Sequence, residues 1–123
     1  MTTQTRVFSV DIVENVVIVT PNGDASGFRY QDIHTATNSL VDSIRRQKIA
    51  RMVVDFGEVE VVGSIMISSI IKLARSIADQ RGTAAFCNSS ETMRDVISTM
   101  NLTKLWAHYD TREEALAAVG DMN

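Results

Sequence analysis

The sequence has few of the residues that build disulfides, metal sites and membrane spans. Its 123 residues include one cysteine, one proline, one tryptophan and two histidines. A single thiol cannot form an internal disulfide, and one thiol with two imidazoles falls short of the usual ligand set of structural zinc. No run approaches the roughly eighteen apolar residues of a transmembrane helix, and the first six residues lack a secretory signal's apolar segment. We therefore expect a cytoplasmic protein with no metal site and no membrane contact.

The charge balance argues against nucleic acid as a partner. Twelve Lys and Arg residues stand against fifteen Asp and Glu residues, which gives a formal net charge of -3. A weakly acidic chain without a basic stripe does not predict nucleic-acid binding, which depends on cations that contact phosphates. Hydrophobic residues make up 45% and charged residues 22%, which is typical of a globular protein. The length predicts a single domain that spans residues 1–123.

The periodicity of the apolar residues predicts an α/β fold. Two short strands, at 7–12 and 16–19, are expected to form an opening hairpin around Glu14 and Asn15. Helical and strand patterns then alternate: helix 28–46, strand 52–56, helix 64–80, strand 83–87, a helix that opens at 88–91, strand 105–108 and a helix that opens at 110–113. This order predicts a mixed, mostly parallel sheet of about five strands with about four helices.

Three residues are expected to mark helix ends. Gly82 follows the helix at 64–80 and is a candidate for its left-handed cap. Asn88, three residues before Glu91, is a candidate N-cap of the next helix. Asn101 can end that helix in the left-handed region, with Leu102 as the hydrophobic contact that accompanies such a stop.

Catalytic motifs are missing. The sequence contains no G-x-G-x-x-G, no G-x-x-x-x-G-K-[ST] and no G-x-S-x-G. His34 and His108 have no serine or cysteine near them in the sequence to activate. Cys87 lies in a strand of small residues, which indicates an inert buried thiol. We therefore predict no catalytic residue, no cofactor and no enzyme activity.

Asp55 lies at the end of a buried strand, where α/β sheets often place function. A phospho-acceptor aspartate of the receiver type would come with an acidic pair after the first strand and a lysine after a late one. The sequence offers the lone Asp11 and, at the late strand, His108 and Tyr109. We interpret Asp55 as a hydrogen-bonded carboxylate that anchors the loop after it.

Ser64 follows Gly63 at the start of the most apolar helix. One interpretation is structural: a serine there caps the free N–H groups of the helix, which is worth about 1 kcal/mol. The other is functional, because a kinase can reach an exposed junction between a loop and a helix. A phosphate would be held by the helix N-terminus and would add about -1.5 to -2 charges. The residues by themselves leave both interpretations open.

The whole chain resembles a STAS domain, the fold of bacterial anti-sigma factor antagonists. The resemblance rests on the order of elements and on segment 54–67, which reads VDFGEVEVVGSIMI. In that family a strand ending in Asp leads to Asp-Ser-Ser-Gly-Leu at a helix start. Ser64 matches the first serine, the family's phosphorylation site, and Ile67 matches the leucine. Segment 19–24 resembles the family's Thr-Gly-Glu-Leu-Asp turn, in which Asp24 matches the closing aspartate.

Three positions depart from the family motif. Gly63 stands where the family has Asp, Ile65 replaces the second serine, and Met66 replaces the glycine. Loss of the aspartate removes a group expected to orient the hydroxyl of Ser64. Ile65 and Met66 are expected to add apolar bulk to the contact region.

The resemblance implies a non-enzymatic regulatory module. It would bind an anti-sigma factor with serine-kinase activity, free a sigma factor, and be switched by phosphorylation of Ser64. The expected partner-binding residues are Asp24, Gly63, Ser64, Ile65 and Met66. One alternative is a scaffold subunit of a homo-oligomer or larger signalling assembly, in which Ser64 is only a cap. The other is a small-ligand-binding domain that uses the strand ends near Asp55.

Overall fold

A six-stranded mixed sheet runs through the computed structural model, which describes residues 2–4, 7–22, 30–60, 62–102 and 106–120. The strands are β1 (Thr2–Gln4), β2 (Phe8–Val13), β3 (Val16–Pro21), β4 (Arg51–Asp55), β5 (Thr83–Cys87) and β6 (Ala107–Tyr109). The helices are α1 (Tyr30–Gln47), α2 (Ser64–Ala78), α3 (Glu91–Thr99) and α4 (Arg112–Gly120). The strands lie in chain order; β1, β2 and β3 pair antiparallel, and β3 to β6 pair parallel. The predicted α/β class and mixed sheet are confirmed.

The opening hairpin forms where the sequence predicts it. Strands β2 and β3 pair up to Val13 and Val16, and the two residues between them, Glu14 and Asn15, have φ of 51° and 69°. Two consecutive left-handed residues make the type I′ turn, whose twist matches that of the flanking strands. Strand β1 is an addition to the five predicted strands, since its residues carry no apolar alternation.

The helices cover the two faces of the sheet with two separate cores. Successive strand residues point to opposite faces. One face packs against α1, α2 and α3 in the main core, which includes Ile44, Val54, Ile70, Phe86 and Ile97. The other face packs against α4 in a smaller core, which includes Ile18, Val53, Cys87, Ala115 and Val119. The strand ends therefore lie between two helical layers.

Helix α2 ends differently from the prediction, because Arg81 and not Gly82 takes the left-handed conformation, with φ of 61°. The N–H of Gly82 bonds the carbonyl of Ile77 and that of Arg81 bonds Ala78, both at 2.9 Å, which is the Schellman pattern. Glycine is needed at 82 for another reason. A Cβ there would lie 2.0 Å from the carbonyl oxygen of Ala50.

The start of α3 also differs. Its N-cap is Ser90, whose hydroxyl accepts a hydrogen bond from the N–H of Met93 at 3.0 Å. The predicted cap, Asn88, has a left-handed φ of 56° and uses its side chain elsewhere, as a donor to Asp55. The predicted stop is confirmed, since Asn101 has φ of 59° after the helix.

Candidate functional site

Ser64 is the first residue of α2 and not its N-cap. The N-cap is Gly63, which has extended backbone angles (φ -73°, ψ 170°) and whose carbonyl accepts the helical bond from the N–H of Ile67 at 3.0 Å. An N-cap side chain can reach back to the first N–H groups because its own backbone is not helical, and Ser64 is already inside the helix. The predicted capping role of Ser64 is therefore wrong, whereas its side chain is exposed.

Gly63 leaves the start of α2 without a side-chain cap. Its φ is one that any residue can adopt, and a Cβ placed on it would meet no atom of the described residues within 4 Å. The aspartate that the family has here would therefore fit. With glycine in its place, no cap side chain competes for the N–H groups of the first turn of α2, where the positive end of the helix dipole lies.

The two apolar residues after Ser64 face opposite ways. Ile65 is 43% exposed, whereas Met66 is 2% exposed and belongs to the main core. Adjacent helical residues are about 100° apart, so the step from Ile65 to Met66 turns the side chain from the exposed side of α2 toward the core. The expectation that Met66 adds bulk to a contact surface is wrong. Gly63, Ser64 and Ile65 form one exposed group, and Asp24 lies outside the described residues.

Helix α1 packs against α2. Lys72 on α2 donates to the side chain of Asn38 on α1 at 2.7 Å. At the start of α1, Tyr30 is 55% exposed, and its hydroxyl lies 3.0 Å from Nε2 of His34.

Asp55 holds the beginning of the loop that leads to Ser64, the β4–α2 loop (56–63). Its Oδ1 accepts hydrogen bonds from the N–H of Gly57 at 2.8 Å and from Nδ2 of Asn88 at 3.1 Å. Its Oδ2 accepts from Nε of Arg112 at 2.8 Å. The Asp55 side chain is 7% exposed. The interpretation of Asp55 as a carboxylate that anchors the following loop is confirmed.

The surroundings keep Asp55 ionised. Burial raises the pKa of its carboxyl, but hydrogen bonds from Arg112, Gly57 and Asn88, together with the charge of Arg112, outweigh burial and leave the pKa below its ordinary value. Arg112 also donates from Nη2 to the hydroxyl of Thr20 at 3.3 Å. A buried carboxylate with hydrogen bonds of this kind, paired with a half-exposed arginine, fixes the relative positions of the elements that it joins.

The β4–α2 loop is also held by the start of α3. The hydroxyl of Ser90, which caps α3, donates to the carbonyl oxygen of Glu60. At the beginning of the loop, the N–H of Phe56 bonds the carbonyl of Cys87 at 3.0 Å. The segment that precedes Ser64 is thus attached to the end of β5 and the first turn of α3.

Comparison with known proteins identifies the fold. The STAS domain family model matches residues 8–115. The chain belongs to the STAS domain family. A candidate anti-sigma factor antagonist of Thermotoga neapolitana is 27% identical over 112 residues, which cover 91% of this chain and 96% of that protein. The crystal structure of a candidate anti-sigma factor antagonist from Thermotoga maritima is 25% identical, with a TM-score of 0.79, over 94% of this chain and 96% of that one.

Two more distant structures share the STAS fold alone. The Bacillus cell fate determinant SpoIIAA in its phosphorylated form is 18% identical, with a TM-score of 0.71, over 91% of this chain and 98% of that one. A chain from the stressosome, a signal integration and transduction hub, is 14% identical, with a TM-score of 0.76, over 92% and 96%. The resemblance found in the sequence is confirmed at the level of the family.

Two reactive side chains singled out in the sequence lie in strands: Cys87 ends β5, and His108 is in β6. Cys87 is buried, and burial followed by the charge of Asp55 raises the pKa of its thiol to about 12, so it stays protonated near neutral pH. The interpretation of an inert buried thiol is confirmed. Burial, together with the charge of Arg94, lowers the pKa of His108, whose Nε2 is buried and has no hydrogen-bond partner among the residues that the structure describes.

The STAS domain also has a cavity of about 420 Å³ beside Asp55, next to the start of α4. Its lining includes Ser9, Asp11, Thr20, Glu58 and Arg112. Within the described ranges, no group of three or more histidine, cysteine or carboxylate side chains is arranged to hold a metal ion. The helices of those ranges include none with the length and apolar character to cross a membrane.

Proposed function

We propose that this STAS domain is a non-enzymatic anti-sigma factor antagonist that binds an anti-sigma factor through the surface at the start of α2. The observation that carries the proposal is the exposure of Ser64 at the position of the family's phosphorylated serine, between Gly63 and the exposed Ile65. The names of the two Thermotoga proteins support the same function. An exposed isoleucine beside a neutral hydroxyl is suited to a partner with an apolar contact face.

Ser64 is the proposed switch. Phosphorylation would place about -1.5 to -2 charges at the uncapped N-terminus of α2, where the helix dipole and free N–H groups favour an anion. The exposed carboxylates of Glu58 and Glu60 lie in the preceding loop and would add to the local negative charge. A partner that covers Ile65 would then have to desolvate a phosphate, so the contact would be weakened. The phosphorylated SpoIIAA structure shows that another protein of this fold accepts the modification.

The test is partner capture from lysate with four forms of the full chain: wild type, Ser64→Ala, Ser64→Glu and Ser68→Glu. Ser68 is exposed one turn further along α2, so its substitution adds the same charge to the same helix. We expect an anti-sigma factor with kinase activity to bind wild type, Ser64→Ala and Ser68→Glu and to be lost from Ser64→Glu. Equal capture by all four forms would contradict the switch.

Phosphorylation itself is measured with the captured kinase and labelled ATP. Wild type should incorporate phosphate and Ser64→Ala should not. Gly63→Asp restores the family's aspartate at a position where a Cβ has free space, so it should raise the rate of incorporation if that aspartate orients the hydroxyl. Incorporation that persists in Ser64→Ala would place the modification elsewhere.

A second candidate function is that of a scaffold subunit in a larger signalling assembly. The stressosome chain of the same fold and the exposure of Ile65 favour it. In that case Ile65 would be part of a permanent interface. Size-exclusion chromatography with light scattering should then show a stable high-order particle for wild type that Ile65→Asp dissociates. A monomer or dimer in both forms would exclude the scaffold.

A further inference from the structure

The backbone of the β4–α2 loop lies unusually close to the carboxylate of Asp55. The N–H of Gly57 donates to Oδ1 at 2.8 Å, and a Cβ on Gly57 would lie 2.9 Å from the same oxygen. Gly57 does not have a positive φ, so its lack of a side chain serves this contact and not a special backbone conformation. The first turn of the loop is therefore shaped around one carboxylate oxygen.

The second oxygen of Asp55 connects the loop to α4. Arg112, in the first turn of α4, donates to Oδ2 from Nε and to Thr20 at the end of β3 from Nη2. Asn88, at the end of β5, donates to Oδ1. One buried carboxylate thus joins the ends of three parallel strands, α4 and the loop that leads to Ser64.

The later turns of α2 do not depend on Asp55 for their packing. Ile70, Leu73 and Ile77 fix them in the main core, on the face of the sheet away from α4. A change at Asp55 is therefore expected to act on the loop and on the first turn of α2, which carries Ser64 and Ile65, and to leave the later turns in place. Because the loop should change while the later turns of α2 do not, a positioning role can be distinguished from a general loss of structure.

We propose that Asp55 and Arg112 are positioning residues for partner binding: they hold the β4–α2 loop in the orientation that presents Ser64 and Ile65. This inference rests on the proposed function and names the residues that prepare its surface. Neither side chain needs to touch the partner. Because Arg112 lies in α4, partner binding at the start of α2 also depends on a helix on the opposite face of the sheet.

A second ion pair of this STAS domain supplies the matched control. Arg94 and Asp110 lie 2.8 Å apart, the same distance as Arg112 and Asp55, but their side chains are 50% and 74% exposed. Exposed pairs contribute little, because water and salt screen them. Arg94→Gln therefore removes an arginine–aspartate pair without changing the contacts of Asp55.

The experiment compares wild type, Asp55→Asn, Arg112→Gln, the double variant and Arg94→Gln. In Asp55→Asn the amide would keep an oxygen for Gly57 but would turn its NH₂ group toward the Arg112 donors. We expect Asp55→Asn to weaken binding of the captured partner about tenfold, because a loop that holds the binding orientation only about a tenth of the time lowers the apparent affinity by that fraction. Amide exchange should quicken in the described part of the β4–α2 loop, from Gly57 to Glu60, and stay unchanged in the second and third turns of α2.

The double variant and the control separate positioning from general destabilisation. Asp55→Asn with Arg112→Gln should recover part of the lost affinity relative to Asp55→Asn, because the unmatched guanidinium is gone. Arg94→Gln should bind like wild type. Affinity in all five forms is measured where circular dichroism shows each to be folded; if Asp55→Asn does not fold, Arg112→Gln carries the test with a smaller expected loss.

The outcomes distinguish this inference from the proposed function. If wild type binds an anti-sigma factor and Asp55→Asn binds it equally well, the positioning role is overturned while the proposed function stands. If wild type captures no such partner, the proposed function fails, and amide exchange alone decides whether Asp55 holds the loop. Unchanged loop exchange in Asp55→Asn would contradict the inference in either case.

Discussion

Two neighbouring loops follow parallel strands of the same sheet and begin their helices in different ways. The β5–α3 loop (88–90) ends in Ser90, whose hydroxyl satisfies an N–H group of its own helix. The β4–α2 loop ends in Gly63, which offers no side chain to α2. The first loop completes the helix that it starts, whereas the second leaves its helix open to an outside group.

The shorter loop also supports the longer one. Asn88 donates to Asp55, and Ser90 donates to the carbonyl of Glu60. The difference teaches that the loop before Ser64 is held in part by side chains of residues distant in sequence, Asn88 and Ser90. Five predictions, in decreasing order of expected effect on stability, test this contrast.

The largest effect should follow Asp55→Ala. It removes a buried carboxylate that accepts hydrogen bonds from Gly57, Asn88 and Arg112, which we expect to lower the free energy of unfolding by about 3 kcal/mol. Asp110→Ala removes the exposed pair and should cost about 0.5 kcal/mol or less. Urea denaturation of both variants measures the difference, and equal losses would show that burial of the Asp55 pair has no energetic consequence.

The same pair predicts a dependence on acid. The pKa of Asp55 in the folded protein lies below its ordinary value, so the unfolded chain binds this proton more readily. The stabilisation is complete above the ordinary pKa of 3.8 and is lost as the pH falls through the folded value. Asp55→Asn should flatten this part of the stability curve, and a curve identical to that of wild type would contradict the assignment.

The next effect should follow Ser90→Ala, which removes the cap of α3 and the support of the longer loop at Glu60. We expect a loss of about 2 kcal/mol. Its neighbour is the control: the hydroxyl of Ser89 is buried and finds no hydrogen-bond partner in the described part of the chain, so Ser89→Ala should cost nothing. A larger loss for Ser89→Ala than for Ser90→Ala would reverse the assignment of the cap.

A small gain is expected from Gly63→Ser, which gives α2 the kind of cap that α3 already has. The substitution should raise the free energy of unfolding by a few tenths of a kcal/mol. Gly57→Ser in the same loop is the control, and it should destabilise because its Cβ would meet Asp55. Thermal denaturation of the two variants should shift in opposite directions.

The smallest effect should follow Ser64→Ala. Because Ser64 lies inside the first turn and is exposed, the change should stay within about 0.5 kcal/mol. A loss of about 1 kcal/mol, as for a genuine N-cap, would restore the role that the sequence predicted. Isothermal denaturation in urea decides between the two.

Most of the fold was predictable because the signals were local. The strand and helix periods, and the two-residue turn at Glu14 and Asn15, depend on residues that are neighbours in sequence. Strand β1 was missed because its pairing with β2 uses backbone groups of a polar segment. The left-handed residue after α2 was misplaced because the carbonyl of Ala50, distant in sequence, decides what can occupy position 82.

The candidate site was predictable only in part. The family motif located Ser64 and Ile65, and the end of a buried strand singled out Asp55. Matching the family motif predicts Met66 on the surface, because a comparison of residue types does not show which side of a helix packs against the core. The side-chain donors to Asp55 could not be found, since Asn88 and Arg112 lie 33 and 57 positions away and sequence spacing does not report such contacts.

The lengths of the outermost strands have a consequence for how copies of the protein behave when crowded. Strands β1 and β6 each span three residues. A long edge strand presents a row of unpaired backbone N–H and C=O groups that can pair with another chain and start a fibril. A short edge strand offers few such groups. In the described part of the molecule both edge strands are short, so we expect a concentrated solution to resist amyloid-like stacking.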